Sequence, residues 1–364
     1  MKKINVLHLI TSLNIGGTEK YLLTIAKSQK RRYNLSVGFL KERGEIAEEL
    51  EREKIPVYDL GNPWRLLYFL KKKKIHLLHT HLYRANILGR FVGRAAKVPI
   101  VISSQRSIDA WKRFYHRWLD GWSSHFADCI IANSQVAKKT LVERERIPRR
   151  KIRVIYSGIE SGVLPLRAER DKIKRSMGIE KNAVIVGCIT RLHTEKGAQY
   201  IPAVGQKLKE RIPQLRLLIV GDGPLMGRIK REIEDLELTD TVSLLGWRKD
   251  IANLLSIMDV FFLPSLEESF PRAVIEALVM ARPAVATDVG GVGEIIQDRV
   301  HGLLVPPKDP KALAQAILWM LKNKKEAQEM ANRGRRKVEK YFTVNRMMEE
   351  TEKVYNNFIQ EKLF

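Results

Sequence analysis

A chain of 364 residues with 45% hydrophobic and 29% charged side chains is too long for one ordinary core and too apolar to be disordered or fibrous, so two globular domains are expected. Its net charge of +24 is uneven: residues 1–165 hold 32 Lys and Arg against 14 Asp and Glu, a net of +18, and the rest holds +6. So basic a first half points to a polyanionic partner, whether nucleic acid, an anionic membrane face or a phosphate-bearing substrate.

The opening MKKINVLHLI imitates a signal peptide, but Asn5 and His8 interrupt its apolar run, and NIGGTEK stands where small cleavage-site residues belong. It reads as a first buried strand, closed by Gly16 and Gly17. Further first-half strands are predicted at LSVGF, IHLLHTH, IVISS and CIIAN, with helix-length segments between them. Period-two spacing turns His79 and His81 to one face, yet no adjacent cysteine or carboxylate completes a metal site. In WKRFYHRWLDGW the residues Trp111, Phe114, Tyr115, Trp118 and Trp122 fall at helical spacing, with Lys112, Arg113 and Arg117 among them. That composition suits an interfacial membrane helix, although an aromatic stripe is more often core. No apolar run approaches the roughly 18 residues of a membrane span.

The glycines and proline of YSGIESGVLPL, residues 156–166, break the periodicity and mark a boundary between a domain at 1–165 and one at 166–340. Beyond it the strand rhythm restarts at AVIVGCIT, LRLLIVG, VSLLG, VFFLP and AVAT, and the tail from about residue 310 is helical by pattern. Two series of continuous apolar strands spaced by helices predict two doubly wound parallel α/β sheets. Cys129 and Cys188 sit in strands of different domains, which argues for a reducing compartment and no disulfide framework.

In such folds ligands bind at the carboxyl ends of the strands. CITRLHTEKG places Arg191 and Lys196 there, two cations able to neutralise a diphosphate, or simply a solvated helix entrance. VGDGP, residues 220–224, reads as a turn. In TDVGGVGE, Gly290 and Gly291 would let backbone N–H groups approach an anion at the positive end of a helix dipole. SLEESFPRAVIEAL, residues 265–278, holds Glu268 and Glu276 eight positions apart; alone, these are as well explained by acids at a helix start. The chain contains no Asp-x-Asp, so a carboxylate-held divalent ion is not expected.

Taken in order, GGTEK, HTH, ANS at 132–134, YSGIE, TRLHTEKG, VGDGP, LLGW, LPSLEESFPRAVIEAL and TDVGGVGEII…HGLLVPP resemble the retaining nucleotide-sugar glycosyltransferases of family 4, essentially end to end. The resemblance implies the GT-B architecture: two doubly wound Rossmann-like domains with an interdomain cleft, an acceptor-side domain at 1–165, a donor domain at 166–340, and a C-terminal helix, 341–364, returning to the first domain. It implies that Glu268 faces the sugar hydroxyls and Glu276 the ribose, a diol-accepting task that suits carboxylates. Phe270 would lie on the donor side with them. Arg191 and Lys196 match the diphosphate-binding pair, and His81 the histidine near the transferred anomeric carbon. Gly16 and Gly17 match a loop near the diphosphate and acceptor, Gly290, Gly291 and Glu294 a donor-side loop, and Trp247 a position near the base. The commonest form of the acidic motif reads E-G-F-G, whereas here Ser269 and Pro271 stand in the glycine places, which bears on the choice of sugar.

The implied activity is retaining transfer from a nucleotide-diphosphate sugar to a glycan or lipid-linked acceptor, with no metal or other cofactor. The charge of the first half adds an anionic membrane surface as partner and a peripheral place at the cytoplasmic membrane face. Two rival readings are a nucleotide-sugar epimerase of the same fold and a basic nucleic-acid-binding protein. The second lacks an RNP-like aromatic motif or a recognition helix.

Overall fold

The computed structural model describes residues 3–160 and 167–364, so residues 161–166 of the expected boundary stretch lie outside it. The chain forms two compact units: residues 1–158 together with 344–364, and residues 159–343.

The first unit is a parallel sheet wound with helices. In chain order it runs β1 (Asn5–Ile10), α1 (Gly17–Gln29), β2 (Asn34–Phe39), α2 (Gly44–Arg52), β3 (Val57–Asp59), α3 (Pro63–Lys72), β4 (Leu77–His81), α4 (Tyr83–Ala95), β5 (Ile100–Gln105), α5 (Phe114–Ser123), β6 (Cys129–Ala132), α6 (Gln135–Glu143) and β7 (Ile152–Val154). The sheet order is β3-β2-β1-β4-β5-β6-β7. Strand order therefore reverses between β1 and β4, and the loops leaving those two strands diverge. Helix starts follow local chemistry: Asn62 accepts from the N–H groups of Trp64 and Arg65 ahead of Pro63, and Ser134 accepts from that of Ala137.

The second unit runs α7 (Arg167–Ser176), β8 (Val184–Ile189), α8 (Ile201–Lys209), β9 (Leu215–Val220), α9 (Met226–Asp235), β10 (Val242–Leu244), α10 (Ile251–Ile257), β11 (Val260–Leu263), α11 (Arg272–Val279), β12 (Ala284–Thr287), α12 (Val292–Ile295), β13 (Leu303–Val305), α13 (Pro310–Lys322) and α14 (Lys324–Tyr341). Its parallel sheet has the order β10-β9-β8-β11-β12-β13, reversing between β8 and β11.

The last helix, α15 (Val344–Leu363), returns to the first unit. Met347, Met348, Tyr355 and Ile359 join the core formed by β1, β2, β4, α1 and α2. Burying four such side chains contributes on the order of 1.5–3 kcal/mol each.

Two expectations change. The strands β3, β7 and β13 were not foreseen; each is three residues long and lies at a sheet edge, as does β10, which the apolar run VSLLG did register. The aromatic stripe of α5 is not core: Phe114 is 82% exposed and Trp118 67%, with Trp111, Tyr115 and Trp122 also exposed. Lys112 does the reverse, 1% exposed beneath that helix, where it meets Asp120 at 2.6 Å, Glu145 at 3.1 Å and Asp109 at 3.2 Å. Arg90 closes the cluster on Asp120 at 2.5 Å. The aromatic face turns outward because a charge network, not an apolar one, fills the space under it.

Candidate functional site

In the second unit the loops leaving β8 and β11 are stitched together at the reversal point. The N–H groups of Leu266 and Glu267 donate to the carbonyl of Glu195 at 2.9 and 3.1 Å. Gly197 has φ +64°, and a Cβ there would lie 1.9 Å from the Pro264 carbonyl oxygen, so only glycine permits this approach. The stitching sets Lys196 Nζ 3.0 Å from Glu268 Oε1, which also accepts from Ser265 Oγ at 2.8 Å. Both side chains are mostly shielded, so the pair is an anchored one. Arg191 stands further out, 70% exposed, and pairs with Glu195 at 2.6 Å. Each cation expected at a diphosphate is thus held by a carboxylate.

Glu276 lies one turn into α11, with Oε1 accepting from Arg272 Nε at 2.7 Å. Phe270 is buried, its ring edge-on to Phe342 at 5.2 Å. Trp247 is half-exposed with Lys249 Nζ 5.4 Å from its ring centre. The Gly290–Gly291 turn differs from expectation. Gly290 does take φ +52°, but the Gly291 N–H is spent on the Glu268 carbonyl at 2.9 Å, and the helix behind it has only four residues. Its dipole is correspondingly small; the turn braces the Glu268 loop instead. Glu294 lies in the first turn of that helix.

In the first unit Gly16 caps α1 in extended backbone, and a Cβ would strike the Glu19 carboxylate at 2.3 Å; Gly17 meets nothing within 4 Å. His81 ends β4, and Leu82 after it has φ 69°, ψ 152°, a conformation that costs a leucine on the order of 1–3 kcal/mol and accompanies functional positions. His8 on β1 pairs in register with His79, so all three histidines share one face of the sheet. They are fully buried, and burial lowers each toward the neutral form, His8 to about 4. Their ligating atoms lie within 4.8 Å of one another. Both ring nitrogens of His8 and of His79, and Nε2 of His81, are however within hydrogen-bond distance of protein groups, which a metal would have to displace. His8 was not singled out from the sequence, where it only interrupted an apolar run; the signal was one histidine face spread over two strands. Neither the Leu82 strain nor Ser265 carries a sequence signature.

A cavity of about 550 Å³ lies at the amino edge of this sheet, lined by Lys3, Lys30, Lys54 and Lys74. The carboxyl edge, where doubly wound sheets bind ligands, is the better candidate.

The profile described as glycosyl transferases group 1 matches residues 169–337, and that of glycosyltransferase family 4 matches residues 15–162. The chain is 27% identical over 316 residues to the UDP-Gal:alpha-D-GlcNAc-diphosphoundecaprenol alpha-1,3-galactosyltransferase of Escherichia coli, covering 84% of this chain and 81% of that one. It is 23% identical to the capsular polysaccharide biosynthesis glycosyltransferase CapM of Staphylococcus aureus, over 99% of each. Among solved structures, HepE from Anabaena in complex with UDP-glucose superposes with a TM-score of 0.89 at 23% identity, covering 97% of this chain and 100% of that one.

Proposed function

We propose that this chain, a glycosyltransferase of GT-B architecture related to the group 1 and family 4 enzymes, moves a sugar from a UDP-sugar to a lipid-linked glycan with retention of configuration and without a divalent ion. The observation that carries the reading is the Lys196–Glu268 pair at the reversal point of the second unit. In the pair each charge satisfies the other. An entering diphosphate takes over Lys196 and, with Arg191, receives the negative charge that grows as the sugar C1–O bond breaks. Glu268 is then released to accept from the sugar hydroxyls, while Glu276 accepts from the ribose. The acceptor hydroxyl attacks the same face, and its proton passes to the departing diphosphate. From the first unit, His81 serves the sugar side, and the loop at Gly16 and Gly17 the acceptor. UDP and a diphosphoundecaprenol-linked acceptor are favoured because the Escherichia coli relative is a UDP-Gal:alpha-D-GlcNAc-diphosphoundecaprenol galactosyltransferase and HepE is in complex with UDP-glucose.

Calorimetry of UDP binding in EDTA, paired with turnover, tests this. Glu276→Ala should weaken UDP about 10-fold or more, the usual worth of a charged hydrogen bond. Glu268→Ala should leave UDP affinity unchanged or raised, because Lys196 loses its competitor, and should cut turnover about 100-fold. Equal losses of UDP affinity in both variants, or binding that needs magnesium or manganese, would refute the assignment.

The first unit supplies the membrane side of the reading. Among the described residues no helix is long and apolar enough to cross a membrane. The aromatics of α5 are instead exposed, as is Arg113 just before it, and so are Trp64, Tyr68, Lys71 and Lys72 of α3 with Lys73 and Lys74 just after it. Both helices pack on α4. Aromatic rings at headgroup depth with lysines and arginines around them suit an anionic lipid surface, which would bring the enzyme to a lipid-linked acceptor.

A further inference from the structure

The buried histidines are tied to the last helix by hydrogen bonds whose directions can be read from one end. Glu352 on α15 accepts from Tyr33 Oη at 2.6 Å and pairs with Arg32 at 3.1 Å. Its other oxygen lies 2.9 Å from Gln29 Nε2. A carboxylate so placed only accepts, so the Gln29 amide must turn its NH2 to Glu352 and its oxygen to His8 Nε2, 3.1 Å away. His8 Nε2 must then carry the proton. Because His8 is neutral in its buried setting, its Nδ1 is bare. It faces His81 Nε2 at 3.0 Å, and two bare nitrogens cannot share a hydrogen bond, so His81 Nε2 carries the proton there. His81 is neutral as well. Its Nδ1 is left as a lone pair, and this buried atom has no hydrogen-bond partner among the described residues. Leu82, the residue that follows His81, has a backbone conformation a leucine does not choose freely.

We infer that the relay Glu352–Gln29–His8 locks His81 in the Nε2–H tautomer, so that its Nδ1 only accepts hydrogen bonds from a sugar hydroxyl, and that His8 and Gln29 are positioning residues for transfer. This rests on the sugar-side role proposed for His81. In the other tautomer the same nitrogen would donate, and a hydroxyl would have to turn its lone pair, not its proton, toward the ring. A ring free to choose would spend part of its time mismatched to the substrate.

The tautomer is read directly in the full-length protein labelled with 15N-histidine, without substrate, from two-bond proton–nitrogen correlations assigned with His81→Ala. The expected result is a proton on Nε2 and none on Nδ1 of His81; a proton on Nδ1 overturns the inference. Replacing His8 by leucine, or Gln29 by leucine, should mix the His81 tautomers and lower kcat about 10- to 100-fold with UDP affinity unchanged. His8→Asn, whose side-chain oxygen can occupy the Nδ1 position, should recover most of that loss. A calorimetric melt in which the first unit still unfolds cooperatively reports that the variants are folded, and Gln29→Leu repeats the test should His8→Leu fail to fold. Full kcat in both leucine variants overturns the positioning role. Unaltered turnover in His81→Ala overturns the sugar-side role itself, and the substrate-free spectrum separates that failure from a wrong tautomer.

Discussion

Lys112 shows how a side chain's work can be hidden from its neighbours in the chain. It lies between Trp111 and Arg113, yet it is one of the most deeply buried large side chains and meets three carboxylates. Removing one partner of such a cluster strands the others, so Lys112→Ala should cost about 3–5 kcal/mol of stability. The cluster also gives a pH signature. Burial alone would raise Asp120, but Arg90 and Lys112 hold it well below the usual carboxylate range. Burial and the Asp120 charge push Glu145 the other way, up to about 7, against the pull of Lys112. A carboxyl raised in the fold stabilises while protonated and loses that contribution as pH rises from its unfolded value through 7. Glu145→Gln should therefore gain on the wild type in thermal melts between about pH 5 and about pH 8. The variant falling behind over that interval would show that Lys112 prefers the ionised acid. Lys112 looked like Arg113 and Arg117 in sequence because only the fold assembles its carboxylates, from positions 109, 120 and 145. Lys196 and Glu268 were legible as residues following strands, which a doubly wound fold gathers at one edge. Their direct contact, and the anchoring by Ser265, depend on loop stitching that no spacing encodes.

At the level of elements, the longer interior strands of both sheets were readable from sequence because burial on both faces makes each a continuous apolar run. Of the three-residue edge strands, β10 was, within VSLLG, but β3, β7 and β13 were not, and neither was the outward face of α5. An aromatic stripe has the same periodicity whether it meets a core or a lipid surface; what decides is the element beneath, and here that is the Arg90–Lys112 charge cluster. Exposed aromatics on α5 and α3 predict binding to vesicles rich in phosphatidylglycerol at low salt, little binding to phosphatidylcholine, and release by added salt as charges are screened. Trp118→Ala with Phe114→Ala should weaken sedimentation several-fold, since two interfacial rings are lost. Arg113→Glu with Arg117→Glu should act similarly and sharpen the salt dependence, while Lys112 is no part of the contact. Equal recovery with both lipids would end the electrostatic reading and leave the rings to another partner.

At the scale of the molecule, the second unit is an insertion in the first. Residues 159–343 leave and rejoin a unit made of 1–158 and 344–364, and the ends of the insertion are bridged, with Ile159 N–H donating to Phe342 O at 2.9 Å and Ile159 paired with Thr343. Adjacent ends and a separate core are what an independently folding domain needs. A fragment of 159–343 should therefore melt cooperatively by calorimetry, whereas residues 1–158 alone should not, because they lack the four core side chains of α15 and the Tyr355 partner of His79. Cooperative melting of 1–158 would show that α15 is dispensable. The same threading sets the order of events on the ribosome. The first unit emerges first but cannot close its core until α15 follows, after residues 159–343 have been made. At roughly 5–20 residues per second that is a delay of roughly ten to forty seconds, during which the nascent chain presents the apolar groove meant for α15. The part of the enzyme synthesised first is thus finished last, and its dependence on a chaperone during synthesis follows from where its final helix is encoded.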